Sequence, residues 1–318
     1  MKKTQIGLGL AALGRPEYIN IRKSIDRDKS RTFYFENTLE VLDFAYDQGI
    51  RHFDTAPSYG LGEAYLMKWN DMKQAHDVRL STKWGYTYVA DWNLGFDGKH
   101  EIKEHGLEKL SEQWAVSKKL LPALKLYQIH SATFESGVLS NQDVLKKLYD
   151  IKKETGLLIG ATTSGPNQDE VLKFASELRI NDEFLFDSFQ VTFNILESST
   201  FNVLSDLIKN DRVIYIKEAL ANGRVFRNSR FSHYHQLYAY LDHLAAKYKV
   251  GNDAIALRFV IDYLGPDVVL SGASSKNQLM ENLKALNFSL NKQELISLRD
   301  FACVKTTYWN ERQKLEWN

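Results

Sequence analysis

Four side chains in the first half of the chain belong to the types that move protons in enzymes: Asp54, Tyr59, Lys83 and His130. A tyrosine is a weak acid, with an ordinary pKa of about 10, and a nearby lysine ammonium would lower that pKa by stabilising the phenolate. An aspartate would keep the lysine charged and oriented, while a histidine would donate to a carbonyl oxygen. Together these groups would protonate a carbonyl oxygen as hydride reaches its carbon, or oxidise an alcohol in reverse.

Each of these residues lies at or just beyond the end of a predicted strand. Short apolar runs alternate along the chain with longer amphipathic segments, several of which end at a glycine such as Gly49 or Gly156. The predicted strands are 5–8, 52–54, 78–83, 124–130, 157–162, 186–193, 213–216 and 267–270. The predicted helices are 36–48, a helix from 62, 102–119, 141–154, 168–178, 200–209, 234–248, 253–263, 276–286 and 291–303, before an aromatic tail.

The alternation predicts the fold. Strands separated by helices pair in parallel with right-handed crossovers, and eight strand-then-helix units predict one closed (β/α)8 TIM barrel over residues 1–318, with an additional C-terminal helix and tail. Such barrels carry their reactive groups at the C-terminal ends of the strands, where the four residues fall. The alternatives are two ordinary domains or a doubly wound open sheet.

Composition excludes several classes of protein. The 41 Lys and Arg residues balance 40 Asp and Glu residues, which argues against a nucleic-acid-binding surface. With 44% hydrophobic and 25% charged residues, the chain is typical of globular proteins rather than disordered ones. The single cysteine, Cys303, fits a reducing compartment. We expect neither a leader nor a membrane span, because glycines interrupt the apolar start, and therefore expect a cytoplasmic protein.

Two further patterns resemble binding sites, one for a dinucleotide and one for a metal, but the surrounding sequence argues against both. The run from Gly7 to Ala12 matches the string G-x-G-x-x-A, but Arg15 and Pro16 follow where a dinucleotide fingerprint needs a helix. We interpret this run as a close backbone approach at the mouth of the first strand. His233 and His235 have no carboxylate at a spacing that completes a metal site, so we expect solvated surface and no metal.

The segment Phe53-Asp54-Thr55-Ala56-Pro57-Ser58-Tyr59-Gly60, followed by Gly62-Glu63, resembles the first signature of the aldo-keto reductase family. The segments Ser81-Thr82-Lys83 and Tyr127-Gln128-Ile129-His130 resemble the next two. The resemblance implies a catalytic tetrad of Asp54, Tyr59, Lys83 and His130, with Tyr59 as general acid and base. It also implies NADP(H), or NAD(H), bound across the barrel mouth without a Rossmann domain.

The resemblance extends to cofactor-binding residues. Gln190 matches the glutamine that holds the nicotinamide carboxamide, and 271–278 with 281–282 match the loop and helix start that bind the adenosine phosphate. Backbone N–H groups at a helix N-terminus suit a phosphate, and Lys276 would favour the 2′-phosphate of NADP. The implied cofactor residues are Thr162, Gln190, Lys217, Gly272, Ser274, Ser275, Lys276, Gln278 and Asn282.

Two positions depart from the family pattern. After the fifth strand, Thr162 keeps a hydroxyl where serine is common, whereas Thr163 replaces the usual asparagine. After the seventh strand, Lys217 stands near the position where an aromatic ring often stacks on the nicotinamide. A cation there would repel oxidised nicotinamide unless Glu218 or a phosphate neutralised it. The departures at Ser164-Gly165-Pro166 and Lys217-Glu218 resemble those of aldose-dehydrogenase-like members.

The substrate is predicted only as a small carbonyl compound or a sugar. Trp84 and Trp92 follow the third strand, where barrel-mouth loops form substrate pockets, and are the candidate substrate contacts. The alternative functions are an aldose 1-dehydrogenase working in the oxidative direction and a catalytically weak, cofactor-binding regulatory subunit on the same barrel. A metal-dependent isomerase or an aldolase on a barrel is a third alternative.

Overall fold

Parallel strands close into a barrel in the computed structural model, which describes residues 3–21 and 28–317. Within these residues, eight strands form the barrel, and each pairs with the strands next to it in sequence until the last pairs with the first. The barrel strands are β1 (Gln5–Gly9), β2 (His52–Asp54), β3 (Arg79–Trp84), β4 (Leu124–Ala132), β5 (Leu158–Thr163), β6 (Ser188–Thr192), β7 (Val213–Lys217) and β8 (Val268–Ser271). The predicted (β/α)8 barrel is therefore confirmed.

Helices connect the strands and cover the barrel. They are α1 (Arg31–Asp47), α2 (Gly62–Lys73), α3 (Leu107–Ser117), α4 (Gln142–Thr155), α5 (Gln168–Glu177), α6 (Phe201–Lys209), α7 (His235–Tyr248), α8 (Asn252–Leu264), α9 (Lys276–Leu283), α10 (Lys292–Arg299) and α11 (Lys305–Gln313). Among the described residues, no helix is long and apolar enough to cross a membrane.

Local sequence signals explain where several helices begin and end. The side chain of Asn141 accepts from the Val144 N–H at the start of α4, and Gly156 ends that helix in the left-handed conformation, with φ of 72°. Asn291 and Glu294 form a reciprocal capping box at the start of α10. These caps pair backbone groups that the helix itself leaves without partners.

The barrel interior is filled by side chains rather than open. Leu126, Tyr215, Val268 and Leu270 form a buried apolar cluster. Tyr215 also hydrogen-bonds His52 across 2.8 Å, and because β7 and β2 are not neighbours in the sheet, this bond crosses the interior. This packed layer supports the polar residues at the C-terminal strand ends.

Two predicted segments differ from the structure. The predicted helix 102–119 begins only at Leu107, because Glu101–Lys103 pairs antiparallel with Tyr86–Tyr88 in a hairpin after β3. The predicted aromatic tail is largely helical, since α11 buries Tyr308 and Trp309 on the barrel. Sequence periodicity misses both, because the hairpin strands are three residues long and α11 has few apolar positions outside these two.

A buried arginine holds α11 on the barrel. Arg224 has no exposed surface, and its Nη1 donates to the Tyr308 carbonyl and to Glu311, each at 3.1 Å. Its guanidinium also lies 4.0 Å from the centroid of the Tyr308 ring. Arg224, from the β7–α7 connection, therefore binds α11 through an ion pair, a hydrogen bond to the backbone and a contact with an aromatic ring.

We expect Arg224→Met to lower the free energy of unfolding by about 2–3 kcal/mol, because Glu311 and the Tyr308 carbonyl lose a buried partner. Urea denaturation measures the change. Lys209→Met removes an exposed ion pair with Asp206 and serves as the control, with an expected change within about 0.5 kcal/mol. Equal changes in the two variants would contradict the anchoring role of Arg224.

Candidate active site

A buried ion pair lies at the C-terminal ends of β2 and β3. Lys83 Nζ lies 2.5 Å from Asp54 Oδ2 and also donates to the Thr55 carbonyl at 3.0 Å. The side chains are 1% and 3% exposed. Strand register explains the pair: Asp54 lies opposite Ser81, and Lys83 follows Ser81 by two residues, so both point to the same face of the sheet.

Tyr59 and His130 lie beside this ion pair. The loop after β2 turns through a hydrogen bond from the Tyr59 N–H to the Ala56 carbonyl, which brings the Tyr59 ring centroid to 4.8 Å from Lys83 Nζ. His130, near the end of β4, meets the Tyr59 ring edge to face at 5.5 Å. The four residues predicted to act together are thus adjacent, and Asp54, Tyr59 and His130 line one cavity.

The electrostatics of Tyr59 differ from expectation. Burial raises the pKa of Tyr59 well above its ordinary value, and the Asp54 and Glu101 carboxylates raise it further. The predicted lowering by Lys83 is therefore outweighed by burial and by these carboxylates. Tyr59 is held as the neutral phenol, which is the form that donates a proton.

His130 is held in its neutral form. Burial lowers the pKa of His130 well below its usual range, and the cations of Lys83 and Lys217 lower it further. Ser58 Oγ lies 3.3 Å from His130 Nδ1. When the hydroxyl donates to Nδ1, the proton of the imidazole is on Nε2, which makes His130 a hydrogen-bond donor.

The floor of the cavity is polar. Gln190 lines it from β6 and donates through Nε2 to Asp54 Oδ1 at 3.0 Å. Lys217 lines it from the end of β7 and donates to Ser164 Oγ at 3.1 Å and Thr192 Oγ1 at 3.0 Å. Thr162 lies behind this surface, fully buried, where its hydroxyl accepts from the Ser131 N–H at 2.7 Å.

The far end of the cavity is formed by the segment between β8 and α9. Gly272, Gln278 and Asn282 line it. A side chain added at Gly272 would meet no described atom within 4 Å, so the backbone there is open to a ligand. Ser275 instead caps α9 by accepting from the Gln278 N–H, and Gln278 Oε1 accepts from Ser274.

Lys276 does not face the cavity. Its ammonium forms an ion pair with Glu40 on α1, and the side chain is 44% exposed. Because a carboxylate already holds this cation, the observed geometry does not support a phosphate contact by Lys276.

The cavity is continuous from the reactive residues Asp54, Tyr59 and His130 to the start of α9. It runs from Tyr59 and His130 to Gly272 and has a volume of about 370 Å³, within the roughly 300–1,000 Å³ of ligand pockets. Asn222 lines it and carries a buried Oδ1 without a hydrogen-bond partner among the described residues. Buried polar atoms are normally paired, so Asn222 offers an acceptor to a bound polar group such as a ribose hydroxyl.

The two tryptophans predicted as substrate contacts lie elsewhere. Trp84 has no exposed surface and packs edge to face on His105 at 5.7 Å. Trp92 lines a separate cleft, and its indole N–H donates to the Lys29 carbonyl at 2.7 Å. Strand pleating explains Trp84: it follows Lys83 directly, so it points to the opposite face of the sheet.

Residues that the motifs did not indicate surround the catalytic end of the cavity. Arg15 is buried with its guanidinium 5.3 Å from the Tyr59 ring centroid and 4.7 Å from that of Trp317, and it pairs with Glu101 at 2.9 Å. Trp317 also stacks on His100 at 4.3 Å. The C-terminal tail therefore folds over the barrel mouth, a point that the aromatic composition of the tail left open.

Comparisons with known proteins agree with this fold. The model of the Aldo/keto reductase family matches residues 5–302, and the chain belongs to that family. It is therefore an oxidoreductase of the aldo/keto reductase class.

Individual relatives are distant. Aldo-keto reductase YhdN of Bacillus subtilis (strain 168) is 23% identical over 286 residues, 81% of each chain. The NADH-specific methylglyoxal reductase of Escherichia coli (strain K12) is 21% identical over 325 residues, 94% of each. The holo form of aldo-keto reductase AKR11C1 from Bacillus halodurans is 20% identical with a TM-score of 0.67, over 96% of this chain and 97% of that one.

We expect Asp54→Asn to lower the free energy of unfolding by about 3 kcal/mol, because it leaves the Lys83 ammonium buried without a counter-charge. The double variant Asp54→Asn/Lys83→Met should recover part of this loss, since it buries no unpaired charge. Urea denaturation of the wild type, Asp54→Asn, Lys83→Met and the double variant gives a double-mutant cycle for this pair. Strictly additive losses would show that the two side chains are not energetically coupled.

Proposed function

We propose that the protein interconverts a carbonyl compound and an alcohol with a nicotinamide cofactor, within one barrel domain spanning residues 1–318. The observation that carries the proposal is the adjacency of Tyr59 and His130 to the buried Lys83–Asp54 pair, in a cavity that continues to the start of α9. When bound, the nicotinamide supplies hydride to a carbonyl carbon or accepts it from an alcohol.

The residues of the chain have distinct proposed roles. Tyr59 gives its phenolic proton to the carbonyl oxygen and takes one back in the reverse direction. Lys83 lies beside the ring and stabilises the phenolate that this transfer leaves, while Asp54 keeps Lys83 charged and oriented. His130 donates a hydrogen bond to the same oxygen and positions it.

The proposed cofactor is NAD(H) or NADP(H). Gln190, Lys217, Gly272, Gln278 and Asn282 line the cavity and would contact it. The expected preference for NADP(H) rests on Lys276, whose ammonium forms an exposed ion pair with Glu40, so we propose either cofactor. The Escherichia coli relative is named as NADH-specific.

The geometry favours an enzyme over a weakly catalytic partner subunit. A subunit of that kind would not need all four reactive groups, whereas here the four are adjacent. The proposed substrate is a small carbonyl compound or sugar, and the proposed location is the cytoplasm, consistent with Cys303 as the single cysteine of the sequence.

Tyr59→Phe tests the role of the phenol. We expect kcat for carbonyl reduction to fall by about a thousandfold, because a positioned general acid contributes roughly 10²–10⁴ in rate, with cofactor affinity unchanged. Initial rates of NADH and NADPH oxidation against a panel of aldehydes, ketones and aldoses measure the effect. The matched control is Tyr88→Phe, whose hydroxyl lies in the neighbouring cleft and whose loss should change kcat less than twofold. Full turnover by Tyr59→Phe would exclude Tyr59 as the proton donor.

The neutral state of His130 predicts a feature of the pH profile. Since its pKa is lowered well below 6.5, His130 stays neutral as the pH falls from 7 to 5.5. We expect no loss of kcat/KM for carbonyl reduction through its protonation in this interval, measured at saturating reduced cofactor. A decline centred near pH 6.5 that His130→Gln abolishes would contradict the burial effect.

A further inference from the structure

Lys217 places a positive charge on the floor of the cavity. Its two hydrogen-bond partners, Ser164 Oγ and Thr192 Oγ1, are neutral hydroxyls. In residues 3–21 and 28–317 no carboxylate forms an ion pair with it. A buried ammonium without a counter-charge is costly and marks a functional position when it lines a ligand cavity.

The adjacent carboxylate, Glu218, forms its ion pair with Arg312 and not with Lys217. Arg312 on α11 binds Glu218 through Nε, 3.0 Å from each carboxylate oxygen, and through Nη2 at 2.5 Å. Arg312 and the nearby Lys217 ammonium hold the pKa of Glu218 at about 2 despite burial. Glu218 acts on Lys217 through space, but its ion pair is with Arg312.

The other charged groups near the reacting centre cancel in pairs. Lys83 is paired with Asp54, and Arg15 with Glu101, while His130 is neutral. Lys103 also lines the cavity, but it is exposed and donates to the Ser131 carbonyl at the rim. Among the described residues, Lys217 is thus the cation on the cavity floor that forms no ion pair, and it is close enough to lower the pKa of His130.

The two oxidation states of a nicotinamide differ by one positive charge on the ring. In the proposed function this ring must reach a carbon whose oxygen is held by Tyr59 and His130, and the floor beneath that position includes Gln190 and Lys217. We propose that Lys217 makes the enzyme discriminate between the two cofactor states, binding the reduced, uncharged nicotinamide more tightly than the oxidised, positively charged one. This inference rests on the proposed function.

The preference for the reduced cofactor should weaken as the pH rises and Lys217 loses its proton. Burial lowers the pKa of Lys217 to about 8, and the charges that act on it are those of Glu218, Arg312, Lys83 and Asp54. Below pH 8 the side chain is charged and repels the oxidised ring, whereas above pH 8 the neutral amine does not. Binding of the oxidised cofactor near pH 8 should therefore release protons, because the positive charge of the oxidised ring favours loss of the proton from the Lys217 ammonium.

Isothermal titration calorimetry tests the proposal without turnover. The probes are NAD⁺, NADH, NADP⁺ and NADPH, titrated into the wild type, Lys217→Met and Lys217→Arg at pH 7 and pH 9.5. At pH 7 we expect the ratio of oxidised to reduced dissociation constants to be about tenfold larger in the wild type than in Lys217→Met, the equivalent of one pKa unit. At pH 9.5 the difference should shrink to less than about threefold.

Lys217→Arg is the matched control, because a guanidinium keeps its charge at both pH values. Lys217→Arg should show the same ratio as the wild type at pH 7, and it should keep that ratio at pH 9.5. Titrations at pH 8 in two buffers of different ionisation enthalpy should reveal proton release on NAD⁺ or NADP⁺ binding by the wild type, and none by either variant. The melting temperature of each ligand-free variant verifies that it is folded.

The outcomes separate this inference from the proposed function. Failure of the folded wild type to bind any of the four dinucleotides overturns the proposed function and this inference with it. Binding with the same ratio in the wild type and Lys217→Met overturns the inference alone. The inference is supported if this ratio is about tenfold larger in the wild type than in Lys217→Met at pH 7, and if Lys217→Arg keeps the larger ratio at both pH values.

Discussion

The buried pair of Lys83 and Asp54 is the interaction on which the end of the cavity around Tyr59 and His130 depends. A lysine with almost no exposed surface is stable only with a counter-charge, and Asp54 supplies it at 2.5 Å. Asp54 in turn accepts from Ser81 at 2.7 Å and from Gln190 at 3.0 Å. Side chains from β2, β3 and β6 thus converge on one carboxylate, which holds the ammonium beside Tyr59.

This pairing also explains the protonation states around it. Burial and the Asp54 carboxylate outweigh the Lys83 ammonium at Tyr59 and keep the phenol protonated. His130 has no such counter-charge and loses its proton instead. Two titratable groups lining one cavity are therefore held in their neutral forms, while Lys217 adds a positive charge to the floor.

The C-terminal segment completes the opposite wall of the cavity. Arg312 from α11 takes up the Glu218 carboxylate, and Arg224 binds α11 to the barrel. Trp317 then covers Arg15 near Tyr59. The packing of the chain end thus places Arg312, and not Lys217, in an ion pair with Glu218.

The sequence by itself determined the barrel and the grouping of the four reactive residues. Alternating strand and helix signals permit few topologies, and in a barrel the C-terminal strand ends must meet, so Asp54, Lys83 and His130 had to be neighbours, with Tyr59 a few residues beyond. Local periodicity does not encode long-range contacts. The pairing of Lys276 with Glu40, the burial of Trp84 and the position of Trp317 depend on which distant residues pack together. The charge state of Lys217 and the raised pKa of Tyr59 were likewise decided by the tertiary structure, because desolvation and counter-charges arise only when the cavity is assembled.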